Sequence, residues 1–214
     1  MKRIVVLISG TGSNMLNIAE QCANQRIAGE VVAVIANKTE AAGLAKADAL
    51  GIDTEVLSHR DFDNRESYDH ALAALVETYK PDVIVLAGFM RILSADFVKQ
   101  FQGRLLNIHP SLLPKYKGLN THARALENGE SEHGVSVHFV TEELDGGPVV
   151  LQAKIPIFAG DTEVELQQRV HEQEYRIYPL VVHWLCTDRL RLTAEGAELD
   201  GHLLGPSGYA SEDD

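Results

Sequence analysis

The sequence predicts an α/β protein with a doubly wound, mostly parallel sheet and an antiparallel C-terminal extension, and three observations predict it. Continuous apolar runs at Ile4-Val5-Val6-Leu7-Ile8, Val31 to Ala36 and Val83 to Ala87 read as strands covered on both faces. Stretches with helical spacing separate these runs, so strand and helix alternate, the pattern of a parallel sheet. From Gly134 the pattern changes: Gly134 to Val140 alternates apolar and polar residues like a half-covered strand, and Val149 to Phe158 follows as its hairpin-like partner.

The first strand, Ile4 to Ile8, runs into Ser9-Gly10-Thr11-Gly12-Ser13-Asn14 and then a helical pattern with Leu16, Ile18, Ala19, Cys22 and Ala23. A small-residue loop between strand and helix gathers free backbone N–H groups at the positive end of a helix dipole, which suits a phosphate. Position 15 is Met rather than Gly and position 16 is Leu rather than Lys, so neither the dinucleotide fingerprint nor the P-loop fits. Gly12, Ser13 and Asn14 read as a mononucleotide-type phosphate loop or, without a ligand, as a tight turn and helix cap.

A strand at Val31 to Ala36, a helix over about 41–50 and a weaker strand at 54–57 come next. Asp63 with Glu66 has the form of a capping box, opening a helix whose Tyr68, Leu72, Leu75, Val76 and Tyr79 share a face. Arg65 lies in its first turn, where a cation opposes the helix dipole; it is either solvated or directed at an anionic ligand. The strand at 83–87 ends in Gly88-Phe89-Met90-Arg91-Ile92-Leu93, whose large apolar side chains cap the core or line a pocket for a flat ring. A helix over 94–101 follows, then the strand Leu105 to Ile108 with its proline-bounded turn to Pro114, and a helix over 121–127. The last helix opens at Thr162 and Glu165 by the same capping logic and runs through Val170, Ile177 and Val181, with a kink expected at Pro179. On spacing alone, His171, Glu172, Gln173 and Glu174 within it form a solvated face. The acidic end, Glu212-Asp213-Asp214, is expected to fray.

No linker, repeat or low-complexity run divides the 214 residues, so a single domain over 1–214 is expected. Nineteen basic against 31 acidic residues give a formal charge of −12, which repels phosphate backbones and anionic lipid. The partners expected are small molecules, not nucleic acid or membrane, with the chain a monomer or a homodimer. Cys22 and Cys186 read as reduced, buried thiols, and no ligand set for a metal stands out. The apolar stretch before Ser9 is too short for a signal-peptide core, which makes the cytoplasm the default compartment.

Asn107 and His109 stand two apart on one strand and therefore share a face, while Ile108 points to the other. With Asp145 beside Gly146 and Gly147, glycines expected to turn the backbone sharply, they form a set that can stabilise an oxyanion and manage one proton. Ser111 lies within the proline turn and is a poor nucleophile for a Ser/His/Asp arrangement. A substrate that brings its own nucleophile, such as an amine, needs only Asn107, His109 and Asp145. The chemistry indicated is acyl transfer to an amine.

Leu106-Asn107-Ile108-His109-Pro110-Ser111-Leu112-Leu113-Pro114, followed by Gly118 and His122, resembles the signature of the folate-dependent formyltransferases. His138-Phe139-Val140 through Leu144-Asp145-Gly146-Gly147 is similar to that family's second signature. Ile8 to Asn14 and Ile177-Tyr178-Pro179 extend the likeness over nearly the whole chain. The resemblance implies a Rossmann-like formyltransferase fold and transfer of a formyl group from 10-formyltetrahydrofolate to the amine of 5′-phosphoribosylglycinamide in purine biosynthesis, without a metal. It further implies that Gly12, Ser13 and Asn14 hold the phosphate and that His171, Glu172, Gln173 and Glu174 contact the rest of that substrate. The folate falls to Arg65, Met90, Arg91, Ile92, Leu93 and Asn107 and to the loop Thr141, Glu142, Glu143, Leu144 and Asp145. Asn107 and His109 stabilise the tetrahedral intermediate, with His109 as proton donor and Asp145 favouring its protonated ring. Family differences at Lys117 and Asn120 leave substrate choice open there. Competing readings are a transferase acting on methionyl-tRNA or a nucleotide sugar, a formyltetrahydrofolate hydrolase, and a non-catalytic nucleotide-binding module.

Overall fold

A computed structural model describes residues 1–209; the expectation for Glu212-Asp213-Asp214 lies outside the described residues. Seven strands form one sheet in the order β3-β2-β1-β4-β5-β6-β7. In chain order these are β1 (Lys2–Ile8), β2 (Gly29–Ala36), β3 (Asp53–Val56), β4 (Val83–Leu86), β5 (Leu105–His109), β6 (Glu132–Phe139) and β7 (Val149–Pro156). The pairs from β3 through to β5 are parallel, while β5 with β6 and β6 with β7 are antiparallel. The helices are α1 (Ser13–Ala23), α2 (Gly43–Ala49), α3 (Arg65–Thr78), α4 (Ala95–Gln100), α5 (Thr121–Glu127) and α6 (Glu163–Cys186).

Alternation along β1 explains the two layers. Ile4, Val6 and Ile8 join Ile18, Val170 and Val181 in the core under α1 and α6. Val5 and Leu7 join Tyr68, Leu72 and Phe97 in the core under α3 and α4. Each face of the sheet is therefore sealed by its own helices, as the continuous apolar runs require. From β1 the chain steps outward to β3 and then returns to the other side of β1 as β4. That reversal opens a crevice at the carboxyl ends of β1 and β4, where doubly wound sheets bind ligands.

Three local readings are corrected. The cap of α3 is Asn64, not Asp63: its side chain accepts the Ser67 N–H at 2.8 Å, placing Arg65 at the first helical position. The strand β6 is buried on both faces rather than half-covered. Its polar side is roofed by the turn after β5, where Ser136 Oγ donates to Ser111 O at 2.7 Å and accepts the Leu113 N–H. Gly146 and Gly147 do not adopt left-handed angles; Asp145 does, at φ 49°. The glycines serve close approach instead: a Cβ on Gly147 would overlap the Phe139 carbonyl oxygen, and one on Gly146 would strike the Glu143 side chain.

The Thr162 capping box of α6 is present, and the helix continues through Pro179 to Cys186. Beyond it, β8 (Leu190–Leu192), β9 (Ala197–Leu199) and β10 (His202–Leu203) form a separate antiparallel sheet that the sequence reading did not assign. Leu190, Ala197 and Leu199 attach it to the core beneath α6. Among the described residues no helix is long and apolar enough to cross a membrane.

Candidate active site

Three loops meet at the carboxyl edge of the sheet: 9–14 after β1, 87–94 after β4 and 110–118 after β5. The register pairs Leu86 of β4 with Asn107 of β5, so the second and third begin side by side. Tyr178 of α6, fully buried, reaches the same edge: its hydroxyl lies 2.7 Å from Leu86 O and 3.1 Å from Leu106 O. Burial pushes that phenol well above its ordinary pKa, so it serves as a fixed donor.

In the first loop Gly12 has φ 68° and precedes α1, and no side chain caps that helix. The left-handed angle is cheap only for glycine, and a Cβ there would lie 2.7 Å from Gly43 Cα. The first-turn N–H groups of α1 are thus open to an anion. Asn14 is held by the neighbouring helix, its Nδ2 donating to Glu174 Oε2 at 2.9 Å. Glu174 is buried, which raises its pKa against the opposing effects of the Asn14 bond and His171. The four consecutive residues of α6 do not converge: Glu174 joins the loop, His171 and Gln173 are half-buried, and Glu172 faces outward, as the helical period demands.

The second loop is pinned at both ends. Met90 N–H donates to the buried Ser9 Oγ at 2.8 Å, and Ser94 N–H donates to the buried Asp69 carboxylate. Between the pins Leu93 packs into the core, while Met90 and Ile92 stand exposed at 66% and 50%. Arg91 lies over the Tyr68 ring, 4.9 Å from its centroid. Arg65 sits nearby in the field of Asp69 and, among the described residues, pairs only with Glu66, at 3.5 Å. Thr141 is half-buried, and Glu142, Glu143 and Leu144 are exposed in the loop after β6. An open cleft of about 310 Å³ runs between Val98 and Lys99 of α4, with Gln102 just beyond that helix, and residues 140–143. Val140 N–H bonds to Leu105 O, so the cleft lies toward the start of β5, and neither Asn107 nor His109 lines it.

At the end of β5 the three candidate catalytic residues come together. Asp145 Oδ2 lies 3.5 Å from His109 Nδ1 and accepts the Gly118 N–H at 2.9 Å. His109 Nε2 is 2.8 Å from the Tyr116 carbonyl, an acceptor only, so this nitrogen carries a proton. Lys117 Nζ meets Glu143 Oε1 at 2.7 Å, clasping the turn after β5 to the loop that carries Asp145. Ser111 Oγ donates to Lys115 O at 2.6 Å, which spends the hydroxyl on the turn.

His138 is a site residue that the sequence reading quoted only as part of a motif. It lies opposite Asn107 across β5 and β6, with its Nε2 3.4 Å from Asn107 Nδ2. Its Nδ1 faces the Phe139 carbonyl at 2.8 Å, and burial lowers its pKa, so the neutral ring donates from Nδ1 and accepts at Nε2. That fixes the Asn107 amide with its nitrogen toward His138. Asp145 Oδ1 is 3.9 Å from the same Nε2, but with the ring neutral this is no ion pair. The signal available in sequence was register, since β5 and β6 pair as neighbours.

Behind the turn, His122 Nδ1 and His133 Nε2 lie 3.1 Å apart, both buried. Burial, first, lowers both pKa values from 6.5 to about 4; the neighbouring His133 lowers that of His122 further, while Glu130 opposes the shift at His133. The unfolded chain binds these protons between about 6.5 and 4 and the folded chain does not, so stability falls as pH drops through that window. Thermal melts across this range should show a steeper loss for the native chain than for His133→Asn; parallel curves would exclude the pair as the cause.

A formyl transferase family model matches residues 2–182. The chain belongs to the formyl transferase family. It is 57% identical over 210 residues to the phosphoribosylglycinamide formyltransferase of Escherichia coli (strain K12), covering 98% of this chain and 99% of that one. It is 42% identical over 194 residues to the human trifunctional purine biosynthetic protein adenosine-3, covering 91% of this chain and 19% of that protein. The solved phosphoribosylglycinamide formyltransferase of Coxiella burnetii, in complex with CHES, superposes with a TM-score of 0.93 at 47% identity, over 97% of this chain and 98% of that one.

Proposed function

We propose that this chain, acting as one domain over 1–214, transfers the formyl group of 10-formyltetrahydrofolate to the amine of 5′-phosphoribosylglycinamide in the cytoplasm. The observation that carries the mechanism is the contact of His109 with Asp145, with Asn107 two residues before His109 on the same face of β5. An uncapped loop before α1 and a loop with exposed apolar side chains after β4 offer the places for the two substrates. Likeness along nearly the full length of phosphoribosylglycinamide formyltransferases supports the choice of substrate. Gly12, Ser13 and Asn14 take the phosphate, while His171, Gln173 and Glu174 face the remainder of that substrate, with Glu172 at the rim. Met90, Arg91, Ile92 and Leu93, with Arg65 and 141–145, take the folate.

The amine lone pair attacks the formyl carbon, whose carbonyl becomes an oxyanion. Asn107 and His109 donate hydrogen bonds to it, and the Tyr116 carbonyl yields its place at His109 Nε2. His109 then gives a proton to the departing folate nitrogen as the carbon–nitrogen bond breaks, and the surplus proton of the new amide nitrogen passes to the vacated His109 ring, so that no proton is gained or lost overall. Asp145, 3.5 Å from Nδ1, orients the ring. Water is excluded as nucleophile by the positioned amine, which separates this reaction from hydrolysis of the folate.

Absorbance should report folate deformylation that requires phosphoribosylglycinamide; release at the same rate without amine would assign the chain a hydrolase activity instead. Ser13→Asp should weaken binding of the phosphorylated amine at least tenfold, since a carboxylate then opposes the phosphate. Calorimetry finding equal affinity would remove the loop from the phosphate site.

A further inference from the structure

We infer that Lys46 is a positioning residue for the phosphate loop, fixing the Thr11–Gly12 peptide and supplying the cation that the loop itself lacks. The inference rests on the reading that residues 12–14 bind the substrate phosphate. Helix α2 is pressed against that loop: Gly43 N–H donates to Gly10 O at 3.0 Å, and Lys46 Nζ donates to Thr11 O at 2.7 Å. The approach is so close that a Cβ on either Gly12 or Gly43 would strike the Cα of the other.

In a trans peptide the C=O and the following N–H point in opposite directions. Holding the Gly10 and Thr11 carbonyls toward α2 therefore turns the Thr11 and Gly12 N–H groups away from it. Neither N–H has an acceptor among the described residues. Two successive amides are thus aimed together and joined by the open first turn of α1, a concavity for an anion. An ammonium on the far side of the Thr11–Gly12 peptide also polarises it, strengthening the Gly12 N–H as a donor.

Charge makes the need specific. The chain carries −12 overall, Glu174 lies within hydrogen-bond distance of Asn14, and the sequence from Ser9 to Asn14 contains no basic residue. A doubly charged phosphomonoester entering this loop meets Lys46 as the cation bonded to the loop backbone. Lys46 is half-exposed on a short helix, so its replacement leaves the core untouched.

The test compares KM for phosphoribosylglycinamide, for the same amine lacking the phosphate, and for 10-formyltetrahydrofolate in the native chain, Lys46→Met and Lys46→Arg. Lys46→Met is expected to raise KM for the phosphorylated amine about tenfold. KM for the unphosphorylated amine and for the folate, and kcat at saturation, should stay within about twofold, and Lys46→Arg should restore most of the loss. If the native chain prefers the phosphorylated amine and Lys46→Met keeps that preference intact, Lys46 is idle and the loop assignment survives. Equal increases in all three KM values would make the role merely structural and overturn the inference. A native chain that treats both amines alike removes the phosphate loop and the inference with it.

Discussion

His109→Ala and Asn107→Ala each lower kcat for formyl transfer by about a hundred- to thousandfold, while KM for either substrate changes by no more than a few fold. The asymmetry follows from when the hydrogen bonds are needed. A formyl oxygen is a modest acceptor before attack and an oxyanion after it, so the lost donors are felt mainly in the transition state. His109→Ala removes a proton donor as well as a hydrogen bond, and it leaves the Asp145 carboxylate, 7% exposed, with Gly118 N–H as its one hydrogen-bond donor among the described residues. Because both residues serve one oxygen, the double variant is expected to fall well short of the product of the single losses. Saturating turnover followed by tetrahydrofolate absorbance measures each; an unchanged kcat in either variant would take that residue out of the chemistry.

Gly147→Ala unfolds more readily by about 3 kcal/mol and loses most of its activity, although glycine offers no side chain to the reaction. The new Cβ would overlap Phe139 O, the carbonyl at the end of β6, so the loop and the strand end must separate. Phe139 N–H accepts no slack from the other side either, since it donates to Pro148 O at 3.0 Å. Asp145 lies two residues away, and any displacement breaks its contact with His109 and Gly118. Urea unfolding together with kcat reads both effects. A midpoint equal to that of the native chain would mean the β6–β7 connection relaxes freely and does not fix Asp145.

Much of this was legible in the sequence because the strongest signals are local. The strand runs at 4–8, 31–36 and 83–87 are apolar on both faces, and the structure buries them on both faces. The parallel-to-antiparallel change after β5 was marked by the alternation at 134–140. That same alternation misled about burial, because Ser136 and His138 look solvent-facing until the turn after β5 is folded over them. The role of His138 depends on cross-strand register and that of Lys46 on how α2 docks, and neither is written in residue spacing. The small sheet at β8–β10 had one readable signal, Asp200-Gly201, whose two positive φ angles of 52° and 83° make the tight turn between β9 and β10. Asn64 displaced Asp63 as a cap because either side chain can accept the same type of bond, and only the backbone angle decides between them.

The central claim is that Asn107, His109 and Asp145 converge on the carbon being transferred. A crystal structure with phosphoribosylglycinamide and a non-transferable folate analogue tests it most directly. The expected result places the amine nitrogen beside the folate's formyl-bearing position, with Asn107 Nδ2 and His109 Nε2 in hydrogen-bond reach of the oxygen there and Asp145 still against His109. Ligands bound away from the end of β5, or Asp145 turned to solvent with both ligands present, would contradict it.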